Sequence, residues 1–161
     1  MVPKKKRQRH KEGDVFVVPL SDRTYSLGQI LGYERQALNS VACAFYNIRI
    51  IDAPPLEIPA PLPQDRVISI LLTTPDLLNR AVWPVVTDRA IATPVAVRPY
   101  EQYRAKNWVG ARIIGSGIVS KFLNAYFALA PWDAMHDPDY YDCLLLNASL
   151  KPNLLVYTRA A

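Results

Sequence analysis

The sequence predicts an α+β domain: a strongly bent antiparallel sheet, or a small barrel-like core, with one main C-terminal helix and a short middle helix. Three observations carry this expectation. Short runs of β-branched and aromatic residues recur through the first half of the chain. One broad apolar stripe with helical spacing falls near the end, and prolines interrupt most of what lies between. With 161 residues, 50% of them hydrophobic, the chain can bury one substantial core. It divides into a basic segment, 1–11, and a single domain, 12–161.

Val15, Val17 and Leu20 alternate with Phe16, Val18 and Pro19, an apolar run suited to a strand buried on both faces. Ser21, Asp22 and Arg23 supply a polar turn. Tyr25, Leu27 and Gln29 then alternate with Ser26, Gly28 and Ile30 as the returning strand. Gly28 in its interior points to a bulge or sharp coiling. Residues 41–51, rich in β-branched and aromatic types, read as a central third strand. Pro54, Pro55, Pro59, Pro61 and Pro63 exclude helix and central strand next, leaving an extended surface loop that is a candidate binding element.

Residues 67–73 read as a fourth strand buried on both faces. Thr74, Pro75 and Asp76 then start a short helix through Leu77, Leu78 and Ala81, which Trp83-Pro84 ends. Pro94 and Pro99 break the weak alternation from Val85 to Trp108 into edge strands and loops. Residues 109–114 read as a further strand. Ser116, between Gly115 and Gly117, is placed to cap a helix running to about Leu129. The stripe of Ile118, Val119, Phe122, Leu123, Tyr126 and Phe127 should pack on the sheet, and Pro131 marks the end.

The net charge of +5 is unevenly spread. Lys4, Lys5, Lys6, Arg7, Arg9 and Lys11 hold six of the 19 basic residues, leaving 13 basic against 14 acidic residues in the remainder. A like-charged block of this kind reads as a solvated, disordered arm, and Pro3-Lys4-Lys5-Lys6-Arg7 also has the composition of a nuclear-import signal. Nucleic acid is therefore expected only as weak, salt-sensitive binding through the 1–11 arm, because the body carries no excess of positive charge. No stretch approaches the roughly 18 apolar residues of a membrane span, and no apolar signal segment follows the charged N-terminus. A cytoplasmic location without a membrane partner is expected. Cys43 and Cys143 read as buried free thiols of a reduced compartment.

The densest chemistry lies in Trp132 to Asp142, where Asp133, Asp137, Asp139 and Asp142 surround His136 with no basic residue. Such a loop can meet a basic partner or hold a divalent cation through oxygen, yet its spacing is not that of the glycine-containing calcium loop. Asx turns after a helix account for aspartates equally well. His136 has no serine or cysteine nucleophile motif to activate, and Gly110, Gly115 and Gly117 lack the lysine and hydroxyl of a phosphate-binding loop. No catalytic residue, metal or cofactor is expected.

Several words of the sequence carry a resemblance. Gly13-Asp14-Val15-Phe16, Pro19-Leu20, Gly28-Gln29 and Gly32 open it, and Trp83-Pro84 follows mid-chain. Phe122-Leu123-Asn124-Ala125-Tyr126, Pro131-Trp132-Asp133-Ala134-Met135 and Asp137-Pro138 close it. Together they resemble the bacterial family called immunity protein 26, discontinuously over most of the chain. Arg23 departs from the pattern, standing where the resemblance leads us to expect glycine.

The resemblance implies an immunity protein that binds and neutralises a cognate polymorphic or contact-dependent toxin by occluding it. The acidic loop suits a basic nuclease toxin. Asp133, Asp137, Asp139 and Asp142 would then lie in the interface, with Trp132 and Tyr140 as anchors. The family name also carries a phosphotriesterase label, which makes a small hydrolase the alternative. With only His10 and His136, the chain cannot build a histidine-rich binuclear site. A small-barrel nucleic-acid binder using the basic arm is the third reading.

Overall fold

Residues 6–51 and 57–158 of the computed structural model are described. Pro54 and Pro55, in the proline-rich loop, lie outside the described residues. Six strands form one sheet: β1 (Asp14–Pro19), β2 (Tyr25–Glu34), β3 (Ser40–Ile50), β4 (Val67–Thr73), β5 (Val85–Asp88) and β6 (Ile113–Ile114). Their order is β5-β1-β2-β3-β4-β6, antiparallel throughout except for the parallel pair β4 and β6. The sheet stays open, so the barrel alternative is not realised. Its two edges are its shortest strands, and the Pro99–Lys106 3-10 helix stands between them in the chain.

The continuous apolar runs become strands that are buried on both faces. From β1, Phe16 and Val18 enter one core, while Val15 and Val17 enter the other. The first core is closed by α2 (Ser116–Tyr126), which buries Val119, Phe122, Leu123, Ala125 and Tyr126. The second is closed by Leu62, Tyr100 and Trp108. Thus the segment expected to hold only edge strands and loops instead supplies a cover. Only its first four residues form a strand, and Tyr100 of the 3-10 helix turns inward.

Trp83 is the centre of the first core. Its ring is fully buried, lies flat on Phe16 at 5.3 Å between centroids, and meets Phe45 edge-on at 5.8 Å. The indole Nε1 donates to Ser120 Oγ on α2 at 3.1 Å, tying the sheet to the helix. Phe16 pairs across the strands with Gly28, and a Cβ on Gly28 would lie 2.5 Å from Phe16 Cζ. The glycine thus makes room for a ring. The register shifts of β2 fall instead at Ser26/Leu27 and Ile30/Gly32.

The β1–β2 turn keeps a geometry that favours glycine although the residue is arginine. Arg23 has φ +69°, and Asp22 Oδ1 accepts from both the backbone and the hydroxyl of Thr24. The turn is further held by Arg49, which pairs with Asp22 and donates to Thr24 Oγ1. These bonds offset the cost of a left-handed non-glycine residue, on the order of 1–2 kcal/mol.

Ser116 does not cap α2. Gly115 occupies the cap position, and the Ser116 backbone N–H donates to Thr74 Oγ1 at 2.9 Å, so the helix start is satisfied from the α1 side. The Ser116 hydroxyl donates to Asp76 Oδ1 at 2.6 Å, at the head of α1 (Asp76–Asn79). Hydrogen bonds from Ser116 and Thr74 hold the Asp76 carboxyl below its ordinary range. The helix stops at Tyr126 rather than near Leu129, because Ala128 takes φ +61° and Leu129 N–H bonds back to Asn124 O.

The cysteines differ from each other. Cys43 is fully buried, and burial pushes its thiol well above the ordinary range; Cys143 is exposed, contrary to the expectation of two buried thiols. Leu144 and Leu145 beside it take the core positions of that turn. A thiol reagent should therefore label one cysteine quickly in the native protein and the second only on unfolding, about 100-fold or more slower. Peptide mapping that found Cys43 labelled as fast as Cys143 would contradict this packing.

Candidate functional site

The acidic loop and the basic N-terminal segment lie at opposite ends of the sheet. At one end lie the β1–β2 turn and the start of β4; at the other lie the β2–β3 turn and the end of β4. Helix α2 runs between them. It starts beside Thr74 and reaches the first end, where Asn124 Oδ1 accepts from Ser21 N–H. Eleven residues of helix span about 16 Å.

The acidic loop crosses the first end. Ser69 Oγ donates to Leu144 O, and Leu146 N–H donates to Ile68 O at 2.7 Å, which pins the loop against the start of β4. The six residues singled out in the sequence do come together here, but in different roles. Trp132 is 1% exposed and packs among Phe122 and Tyr141, so it supports the loop from inside and cannot be a surface anchor. Its Nε1 donates to Asp142 Oδ1 at 3.0 Å.

Asp142 also pairs with Lys151 at 3.0 Å, and Lys151 lies over the Trp132 ring. The Asp142 hydrogen bond raises the Lys151 pKa above its ordinary value. Lys151 belongs to a later turn, so the loop is partly neutralised by a cation that its own sequence lacks. Asp133 Oδ1 accepts from Thr158 N–H at 2.7 Å. Asp137 Oδ1 accepts from Asp139 N–H at 2.9 Å, an Asx turn that presents both carboxylates outward. Asp137, Asp139 and His136 are exposed, whereas Tyr140 is half-buried against the core. Among the described residues no group of three or more His, Cys, Asp or Glu side chains is arranged to hold a metal ion.

The other end is basic, and the sequence reading passed it over. Residues 8–11, read as part of a disordered arm, lie against the domain; residues 1–5 are outside the described residues. Gln8 N–H donates to Asn79 O, its Nε2 donates to Leu78 O and Trp83 O, and its Oε1 accepts from Val85 N–H. His10 stacks on Tyr33 and has its ring nitrogens 2.6 Å from Tyr33 Oη and 2.7 Å from Asn79 Oδ1. Lys11 bridges Asp14 and Asp88.

This docking forms a cleft of about 480 Å³ lined by Arg7, His10, Tyr33, Arg35, Asn39 and Ser40, with Glu34 at its side. Arg104 holds the Glu34 carboxylate through both oxygens. Burial, with smaller contributions from Asp14, Cys43 and Glu12, pushes the Tyr33 phenol up to about 12. The two histidines therefore sit at opposite ends of the molecule. Only the folded chain brings Arg7 and Arg35 together, and the alternation of β2 loses its apolar members after Leu31, so no period pointed to Tyr33.

No helix among the described residues is long and apolar enough to cross a membrane. Comparison with curated proteins and with solved structures returns no match. The family model for immunity protein 26 matches residues 11–107, which take in β1 to β5, α1 and the Pro99–Lys106 helix. The words read in 122–138 fall beyond that span, whereas the opening hairpin and Trp83-Pro84 fall within it. With more than half of its length matched, including five of the six strands, the chain belongs to the immunity protein 26 family.

Proposed function

We propose that this protein binds a cognate toxin domain and neutralises it by covering the toxin's working surface. Membership of an immunity-protein family is the observation that carries this reading. The acidic end is the recognition face in this proposal, with Asp137 and Asp139 foremost, Asp133 and Asp142 behind them, and Tyr140 as the aromatic contact. Two features support it: the exposed carboxylates stand on a turn whose underside is fixed by Trp132, Asp142 and Lys151, and α2 ends there. A helix C-terminus adds negative potential to that of the aspartates. A fixed acidic face would speed encounter with a basic domain such as a nuclease and select against acidic competitors.

The test uses the full chain as bait in the native host's lysate at moderate salt, beside the Asp137→Lys/Asp139→Lys variant. A captured protein should arrest growth when its C-terminal region is expressed alone, and co-expression of the wild-type chain should restore growth. The double reversal should weaken that complex about tenfold or more, mainly through association rate, while loss of the Asp137 Asx bond should cost no more than about 1 kcal/mol of stability. Capture of no toxic partner would overturn the function; equal affinity of the variant would overturn the face.

A further inference from the structure

At the opposite end from the acidic loop, we infer that the Arg7–Arg35 cleft is a phosphate site that takes a nucleotide, singly or as part of a single strand. Arg7, Arg9, Arg35 and Lys6 make no ion pair among the described residues, and the cleft's own carboxylate, Glu34, is already held by Arg104. Two further depressions share Arg7: one is lined with Lys6, Asn79 and Arg80, the other with Gln8, Arg9 and His10. Positive charge is thus continuous around one residue.

The donor set distinguishes the ligand. Ser40 lines the cleft, is 1% exposed, and its hydroxyl has no hydrogen-bond partner within the protein. A buried hydroxyl of this kind is normally satisfied, and a small side-chain shift would offer it to an acceptor held by the two guanidinium groups. Phosphate offers three or more oxygens to planar guanidinium forks, a hydroxyl and the Asn39 amide, whereas a carboxylate offers two. The cleft volume falls in the range of small-ligand sites. Tyr33, already stacked with His10, remains 39% exposed on the lining, so a base can add to that stack. Phosphate on Arg7, Arg35 and Ser40 with the base over Tyr33 accounts for all of these features. A strand would continue toward Lys6, Arg9 and Arg80. This site is independent of toxin neutralisation and stands or falls separately from it.

Fluorescence anisotropy of the full chain with a labelled single-stranded DNA of about twelve nucleotides tests the site. Binding at low salt should weaken with added salt, and Arg7→Glu/Arg35→Glu should weaken it tenfold or more. The slope of log affinity against log salt should fall by about 0.7 for each phosphate contact removed. Tyr33→Leu should cost about tenfold without changing that slope. Arg7 and Arg35 are exposed, so circular dichroism and Tm should match the wild type.

Displacement by millimolar adenosine monophosphate would identify a single-nucleotide site, and resistance to it a strand site; either outcome supports the proposal. Absence of binding, unchanged binding by the arginine variant, or loss on deleting residues 1–5 alone would overturn it. So would a poly-glutamate peptide of the same length competing as well as the oligonucleotide, which would assign the cleft to an acidic protein segment.

Discussion

Replacing Trp83 with alanine should lower the unfolding free energy by about 4 kcal/mol, the middle of the range of losses for a buried tryptophan. The indole has no exposed surface and is clamped between two strands: flat against Phe16 of β1, edge-on to Phe45 of β3. Phe16 and Phe45 are fully buried and packed edge-on against each other at 5.9 Å, which restrains both from swinging into the space left behind. The vacancy therefore stays largely open, and the cost includes cavity as well as transfer. Loss of the Nε1 bond to Ser120 also unfastens α2 from the sheet. Urea denaturation followed by circular dichroism should show a lower midpoint with an unchanged slope, and Trp83→Phe should recover part of the loss. A loss below about 1 kcal/mol would mean that the core is organised elsewhere.

What could be read from the sequence was what depended on local period. β1, β3 and β4 appear as unbroken apolar runs because both faces of the sheet are covered, and α2 appears as a stripe because one of its faces is. The cover of the second face could not be read, since Tyr100 and Trp108 stand isolated in a polar stretch; the 3-10 helix turns Tyr100 inward, and Trp108 follows it through the left-handed Asn107. β6 is two residues long and owes its existence to pairing with β4 rather than to its own composition. The acidic residues of 132–142 are plain in the sequence, but how each is held rests on Lys151 and Thr158, partners that arrive from later in the chain. Trp132 was misplaced for the same reason, since a tryptophan in a loop looks available until Phe122 and Tyr141 enclose it. Gln8 is the sharpest case. A polar residue in a basic run shows no sign of docking, because its acceptors, the carbonyls of Leu78 and Trp83, are presented only once the chain has turned at the end of α1.

Gly28→Ala should cost about 3 kcal/mol, whereas Gly32→Ala, four residues along the same strand, should be neutral or slightly stabilising. The first added methyl would lie 2.5 Å from Phe16 Cζ and 2.7 Å from Phe16 Cε2. Terminal atoms of a free side chain would yield, but this ring is stacked on Trp83 at 5.3 Å and meets Phe45 at 5.9 Å. Moving it displaces the whole aromatic cluster. The second methyl would find only Glu12 Oε1, at 3.6 Å, an ordinary contact, and would gain from the reduced freedom of the unfolded chain. Denaturation midpoints of the two variants separate a steric requirement from a general preference for glycine in this strand. Phe16→Leu in the Gly28→Ala background supplies the decisive measurement. If the ring is the obstacle, the double variant should be more stable than the sum of the single losses predicts, by about 1 kcal/mol or more. Additive losses would place the strain in the β2 backbone instead.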